Sequence, residues 1–168
     1  MASRTMKQPV PSSKKVAQVQ SRPWVLWLVV LMLVITGIGA LPNGWGLITD
    51  PSGASLGMST EWLSAPIFPN FFVPGLFLFS VIGLGSLLVA LLIIWRPDWR
   101  WAQALNPVRA QHWVWTAAMG IGLALMVWIT VQMLSVKFFS WLQPTFFLTG
   151  AATMIIMALP AVRRYFKA

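Results

Sequence analysis

Four long stretches of this chain carry no formal charge: Trp24–Leu41, Val73–Trp95, Trp113–Val136 and Pro144–Val162. They run to 18, 23, 24 and 19 residues. About 20 apolar residues in a helix cover a hydrocarbon core of about 30 Å. Inside lipid no water satisfies backbone N–H and C=O groups, so only helices or closed barrels can cross. None of the stretches shows the alternation of barrel strands, which leaves helices. Composition closes the soluble route: 58% of the 168 residues are hydrophobic and 9% charged, against about 45–50% and about 25% in soluble domains. Disorder needs low hydrophobicity and is excluded for the body of the chain. The expectation is an all-α integral membrane four-helix bundle over residues 24–162, with an outer loop at 42–72 and a basic tail at each end (1–23 and 163–168).

Charge gives direction. Arg4, Lys7, Lys14, Lys15 and Arg22 precede the first span, Arg96, Arg100 and Arg109 lie in the second connection, and Arg163, Arg164 and Lys167 follow the last span. The first connection has no Lys or Arg but carries Asp50 and Glu61, and the third has only Lys137. Eleven basic residues against one put both termini on the cytoplasmic side of a cell (inner) membrane. Trp24, Trp27, Trp95, Trp99, Trp101, Trp113, Trp115 and Tyr165 then gather at one interface and Trp45, Trp62 and Trp141 at the other, where amphipathic rings anchor. Trp128 alone lies well inside a span. The net charge of +9 is thus topological, and no continuous basic face points to nucleic acid. A cleaved signal is the alternative for the first run, with Gly37 and Gly39 at the spacing a signal peptidase reads. Its 18-residue length and the nearby Pro42 favour retention.

The connections differ. Residues 1–21 are rich in Lys, Gln, Ser and Pro and read as a disordered tail near anionic lipid. The 31-residue connection 42–72 is long enough to be functional. In it Asp50-Pro51-Ser52-Gly53 has the preferred residues of a type I turn. Ser59 is placed to cap a short helix reaching Ala65, which Pro66 and Pro69 stop. Asn106-Pro107 marks a turn in the second connection. Lys137–Ser140 makes a tight hairpin of the last two helices. Ser86/Ala90, Ala118/Gly122 and Gly120/Ala124 set small residues four apart, which lets helices approach within the bundle or between copies.

Little here suggests catalysis. Without cysteine there is no disulfide, thiolate nucleophile or Cys-ligated metal. Three carboxylates are present, and Asp98 faces the side opposite Asp50 and Glu61, whose turn-forming and helix-starting roles account for both. His112 could give one axial ligand to a haem or chlorin, but it sits at the boundary of a span beside Trp113, where anchoring explains it. No catalytic, cofactor-binding or metal-binding residues are assigned. Gln132 and Gln143, near the ends of the third and fourth spans, form with Asn43, Asp50 and Glu61 either a shallow polar pocket or a set of interhelical hydrogen bonds.

Taken in order, Gly46-Leu47, Asp50-Pro51-Ser52-Gly53, Leu56-Gly57-Met58, Trp62-Leu63, Pro66, Phe68, Pro74-Gly75-Leu76, Trp128-Ile129, Val131-Gln132 and Gln143-Pro144 resemble the pattern of a group of small, uncharacterised bacterial four-helix integral membrane proteins. The resemblance covers roughly residues 40–150. It implies a bacterial cytoplasmic membrane, no activity, and a loop that belongs with the Gln132/Gln143 layer as one outer-face unit. The leading expectation is a non-enzymatic accessory protein that meets a membrane-protein partner, or another copy of itself, through Trp45, Asp50, Glu61, Trp62, Gln132 and Gln143. The alternative is a small oligomeric transporter, or a membrane protein that binds lipid or a small molecule such as a pigment or quinone.

Overall fold

The computed structural model describes residues 22–63, 68–136 and 140–168. The tail at 1–21, Ala65, Pro66 and Lys137, on which some of the sequence expectations fall, lie outside the described residues. Among the described residues the longer helices follow in the order α1 (Val25–Thr49), α2 (Phe72–Trp95), α3 (Arg100–Ala104), α4 (Trp113–Ser135), α5 (Leu142–Ala158) and α6 (Pro160–Tyr165). Among the described residues there is no strand, and only two isolated bridges, Leu63–Val136 and Gln111–Lys167. The chain is an all-helical membrane protein: α1, α2 and α4 are long and apolar enough to cross a bilayer, and α5 is a shorter apolar helix of 17 residues.

Three boundaries depart from the sequence expectation. The first span does not stop at Leu41; α1 continues through Pro42 to Thr49. Proline removes one backbone bond, but the turn it weakens gains another, from Asn43 Nδ2 to the Gly39 carbonyl at 2.7 Å, and Gly44 and Leu47 beyond it are buried against α2. The outer loop therefore begins at Asp50 rather than at 42. The fourth run ends at Ala158 instead of 162, because Pro160 forces Leu159 into an extended conformation (ψ 138°). The expected basic tail at 163–168 is not free. It turns into α6 and buries Phe166 completely.

Packing along α1 and α2 is close enough to require glycine. A Cβ at Gly44 would stand 2.6 Å from Phe79 N, and one at Gly75 2.6 Å from Leu47 Cβ. A Cβ at Gly37 would reach Leu87 at 2.6 Å. Those contacts pair 37 with 87, 44 with 79 and 47 with 75, so the two helices run antiparallel. On the other side α4 and α5 cross with Gly122 and Gly150 back to back, where a Cβ at Gly150 would lie 2.7 Å from the Gly122 carbonyl. Ser86, Ala90 and Ala118 are buried inside the chain, Ala90 and Ala118 in one apolar cluster with Val89, Ile93 and Val114. Gly120 is exposed, and a Cβ there would have nothing within 4 Å. Leu31, Ile35 and Ile38 on α1, Leu84, Leu88 and Leu91 on α2, and Leu123 and Val127 on α4 are exposed at helical spacing, forming the faces that meet lipid.

At the end where α1 begins and α6 finishes, polar groups are densely paired. His112 caps α4, its Nδ1 accepting from Val114 N at 3.3 Å, and its Nε2 lies 3.3 Å from Asp98 Oδ1. Its backbone N–H donates to the Phe166 carbonyl at 2.6 Å, while Arg96 stacks on the rings of Tyr165 and Phe166. Asn106 ties the second connection together through Val108 O, Gln111 O and the Thr116 hydroxyl. Trp113 and Trp115 donate their indole N–H groups to Pro97 O and Met157 O. The single histidine is thus a helix cap and a lock for the C-terminal residues.

Two outcomes are expected from this packing. Gly44→Ala should destabilise the protein by about 1–3 kcal/mol, since its methyl meets backbone atoms. Gly120→Ala should be neutral, or stabilise by up to about 1 kcal/mol through helix propensity. Thermal unfolding in a mild detergent measures both. Burial pushes the His112 imidazole below its ordinary value of 6.5, against the pull of Asp98 and with a small contribution from Arg96. The folded state then favours the neutral ring. Its stabilisation is complete above pH 6.5 and is lost as the pH falls toward the lowered value. Wild type should accordingly lose melting temperature between pH 7 and pH 5 more steeply than His112→Asn, which keeps a capping oxygen and cannot titrate.

Candidate functional site

At the opposite end, the two helix pairs do not close on each other. Contacts between α2 and α4 concentrate in the Gly85–Trp95 half of α2 and are sparse toward its start. A cavity of about 440 Å³ lies between the pairs. The second half of α1, the start of α2, the second half of α4, the start of α5 and the loop all contribute to it. Its walls are mainly apolar, with Leu47, Phe71, Leu78, Ile82, Leu125 and Ile129 among them. Small-molecule sites have volumes of about 300–1,000 Å³ and walls of this kind.

The loop that covers this end is built from short-range hydrogen bonds. Gly53 N donates to Asp50 O at 3.0 Å, closing the turn expected from Asp-Pro-Ser-Gly. Asp50 Oδ1 accepts from the Ser52 N–H and hydroxyl, and Oδ2 from Ser55 N at 2.8 Å. The Ser52 hydroxyl, then the Ser55 N–H, hold the exposed Asp50 carboxyl below its usual range. Gly53 takes φ +79°, and a Cβ there would also meet Met58 and Phe71, so only glycine suits the position. Ser59 Oγ accepts from Glu61 N at 3.2 Å, the expected cap. The helix that it starts is a single 3-10 turn, Thr60–Trp62, ending before Ala65 because Leu63 turns extended (ψ 123°) to bridge Val136. Leu47, Leu63 and Phe71 form a small core there with Met58 and Val136. Phe71 N also donates to Pro51 O. The loop is thereby attached to the ends of α1, α2 and α4.

Residues 78–84 of α2 form a π-helical segment. Leu78 and Ile82 from it line the cavity. Such segments concentrate at functional sites because the wider turn re-aims side chains.

Of the residues singled out from sequence, Gln132, Gln143 and Asn43 line the cavity together. Asp50, Glu61, Trp45 and Trp62 are not among its lining residues. Trp45 is exposed on α1, its ring 5.9 Å from that of Phe79. Glu61 is exposed and Trp62 half-buried. Gln143 Oε1 accepts from Ser140 N at 3.1 Å, starting α5. Among the described residues, no three His, Asp or Glu side chains gather as a metal site requires.

Sequence reasoning passed over Thr36, Trp128 and Ser135 as site residues. All three are buried and line the cavity. Trp128 Nε1 and Ser135 Oγ have no hydrogen-bond partner. Leaving a buried polar group unpaired costs about 1–3 kcal/mol, so a pair of them at one cavity is notable. A signal was present: positions 128, 132 and 135 follow i, i+4, i+7 spacing and fall on one helix face. No family model, curated protein or solved structure matches the chain.

The loop makes its own prediction. Asp50→Ala should speed hydrogen exchange of the Ser52 and Ser55 amides several-fold while leaving exchange in α1 unchanged. Unchanged exchange at Ser55 would show that the turn stands without its carboxylate.

Proposed function

We propose that this protein is a multi-pass component of a bacterial inner membrane that holds a lipophilic small molecule or lipid, without chemistry of its own, in the cavity at the loop end of its bundle. The cavity itself carries the proposal: about 440 Å³ of mainly apolar space in a chain whose other polar end is tightly packed. The residues of the ordered sequence pattern add weight, since Leu47, Leu56, Met58, Leu63, Trp128 and Gln132 all belong to the cavity wall. In this reading α5 crosses as a fourth span and both termini face the cytoplasm, following the eleven-to-one division of basic residues. The cavity then opens near the extracytoplasmic leaflet.

A second reading, an accessory subunit meeting a membrane-protein partner or another copy of itself, rests on the exposure of Trp45 and Glu61. It is the weaker one, because Asp50 spends both carboxylate oxygens on its own loop.

Gly39 provides the test. It lines the cavity, and a Cβ there has no neighbour within 4 Å, so a large side chain can enter without displacing the backbone. Native mass spectrometry of wild type, gently solubilised from its own membranes, should show a stoichiometric small-molecule adduct. Gly39→Phe should reduce that adduct at least tenfold while retaining the wild-type melting temperature. Equal occupancy in the two proteins would overturn the assignment of the site. A bare chain with a stoichiometric protein partner would favour the second reading.

A further inference from the structure

We infer that the cavity selects a neutral amphiphile with a carbonyl or ester oxygen, which accepts a hydrogen bond from the Trp128 indole. This rests on the binding reading above and adds the chemical class of ligand. Three observations lead to it. First, the described lining of the cavity contains no Asp, Glu, Lys, Arg or His. An ionised headgroup would lose its hydration there with no opposite charge to replace it. Second, the wall has a polar stripe on α4, Trp128, Gln132 and Ser135, besides Thr36, Asn43, Ser140 and Gln143 on other segments. Seven residues of helix separate its ends by about 10 Å. Facing it are Leu47, Phe71, Leu78 and Ile82, which suit an alkyl or prenyl chain. Third, Trp128 Nε1 is buried and has no acceptor. An indole N–H is a donor only, so the missing partner must be an oxygen or nitrogen lone pair.

No oxygen of the described cavity wall reaches the indole N–H. Phe77 stacks on the Trp128 ring at 4.9 Å and offers no acceptor, and Gln143 uses its Oε1 on Ser140 N. The Ser135 hydroxyl, also unpartnered, lies nearer the loop and could meet a second oxygen of the ligand. An ester or ketone placed along the stripe, with its chain against the apolar wall, satisfies these groups. An alkane satisfies none of them.

Methyl laurate, dodecane and laurate at pH 9 are suitable probes, titrated into the full-length protein in detergent. Wild type is expected to prefer the ester to the alkane by about three- to tenfold, the worth of one net hydrogen bond. It should bind ionised laurate at least tenfold more weakly than the ester. Trp128→Phe keeps a ring for Phe77 and should abolish the preference for ester over alkane. Independently of any variant, one indole resonance of 15N-tryptophan-labelled wild type should move downfield with methyl laurate and not with dodecane. If ester and alkane bind equally and no indole resonance moves, the hydrogen-bond assignment is overturned while the cavity reading stands. Laurate binding as tightly as the ester would overturn the neutral-ligand assignment. If no probe binds wild type, the binding reading falls, and this inference with it.

Discussion

Close approach of helix backbones at glycine is the contact on which the rest of the structure depends. In lipid there is little hydrophobic reward for bringing apolar helices together, because the tails are as apolar as leucine. What remains is dispersion between well-fitted surfaces and the few polar contacts available. Gly37, Gly44, Gly75 and Gly83 let α1 and α2 touch along their full overlap, and Gly122 with Gly150 does the same for α4 and α5. Two tight antiparallel pairs result. They meet through the cluster that holds Val89, Ala90, Ile93, Val114 and Ala118, in the half where α1 begins and α6 finishes. Beyond that half, the π-helical segment of α2 and the bulk of Trp128 take the place of small residues. The cavity occurs where the small-residue contact between the pairs ends.

The two ends of the bundle treat their polar groups in opposite ways. Where α1 begins and α6 finishes, His112, Asn106, Gln103, Trp113 and Trp115 all have partners, and Phe166 is fully buried beneath them. At the loop end Trp128 and Ser135 keep buried polar atoms without partners. The densely bonded end fixes the helices against each other, although Gln111 Oε1 is buried there without a partner. Among the described residues the loop end is held by the Leu63–Val136 bridge, the small core around Phe71 and the cluster around Ile82, Leu125 and Trp128. Local stability follows the density of such contacts.

Membrane-length helices were legible in the sequence because absence of charge over 18 or more residues has few other causes. The Asp50 turn and the Ser59 cap were legible too, since both depend on hydrogen bonds within a few residues. Less local features were not. Pro42 reads as a stop, yet the helix passes through it because Gly44 and Leu47 find partners on α2 that no local pattern announces. Phe166 reads as part of a basic tail, and only the fold shows the ring buried beside Arg96 and His112. Of Asn43, Asp50, Glu61, Gln132 and Gln143, read from sequence as either a polar pocket or a set of interhelical hydrogen bonds, the three amides line one cavity, and Asp50 is engaged within its own loop. Attention to charge as the mark of function also obscured Trp128, whose buried indole N–H has no acceptor.

That last point bears on how an uncharged membrane protein can be selective. Transporters of ions and charged solutes advertise themselves by ionisable groups within their spans. A chain that handles a neutral, oily ligand needs none. Its selectivity must come from shape and from a few hydrogen bonds in a low-dielectric interior, where an unmet donor is costly and a met one is correspondingly discriminating. Trp128, Gln132 and Ser135, set on one face of α4 and opposed by aliphatic and aromatic side chains, are the minimum such a device requires. The glycine contacts that define the helix pairs also determine where that stripe faces open space. The packing of the bundle and the chemistry of the cavity therefore have one physical origin.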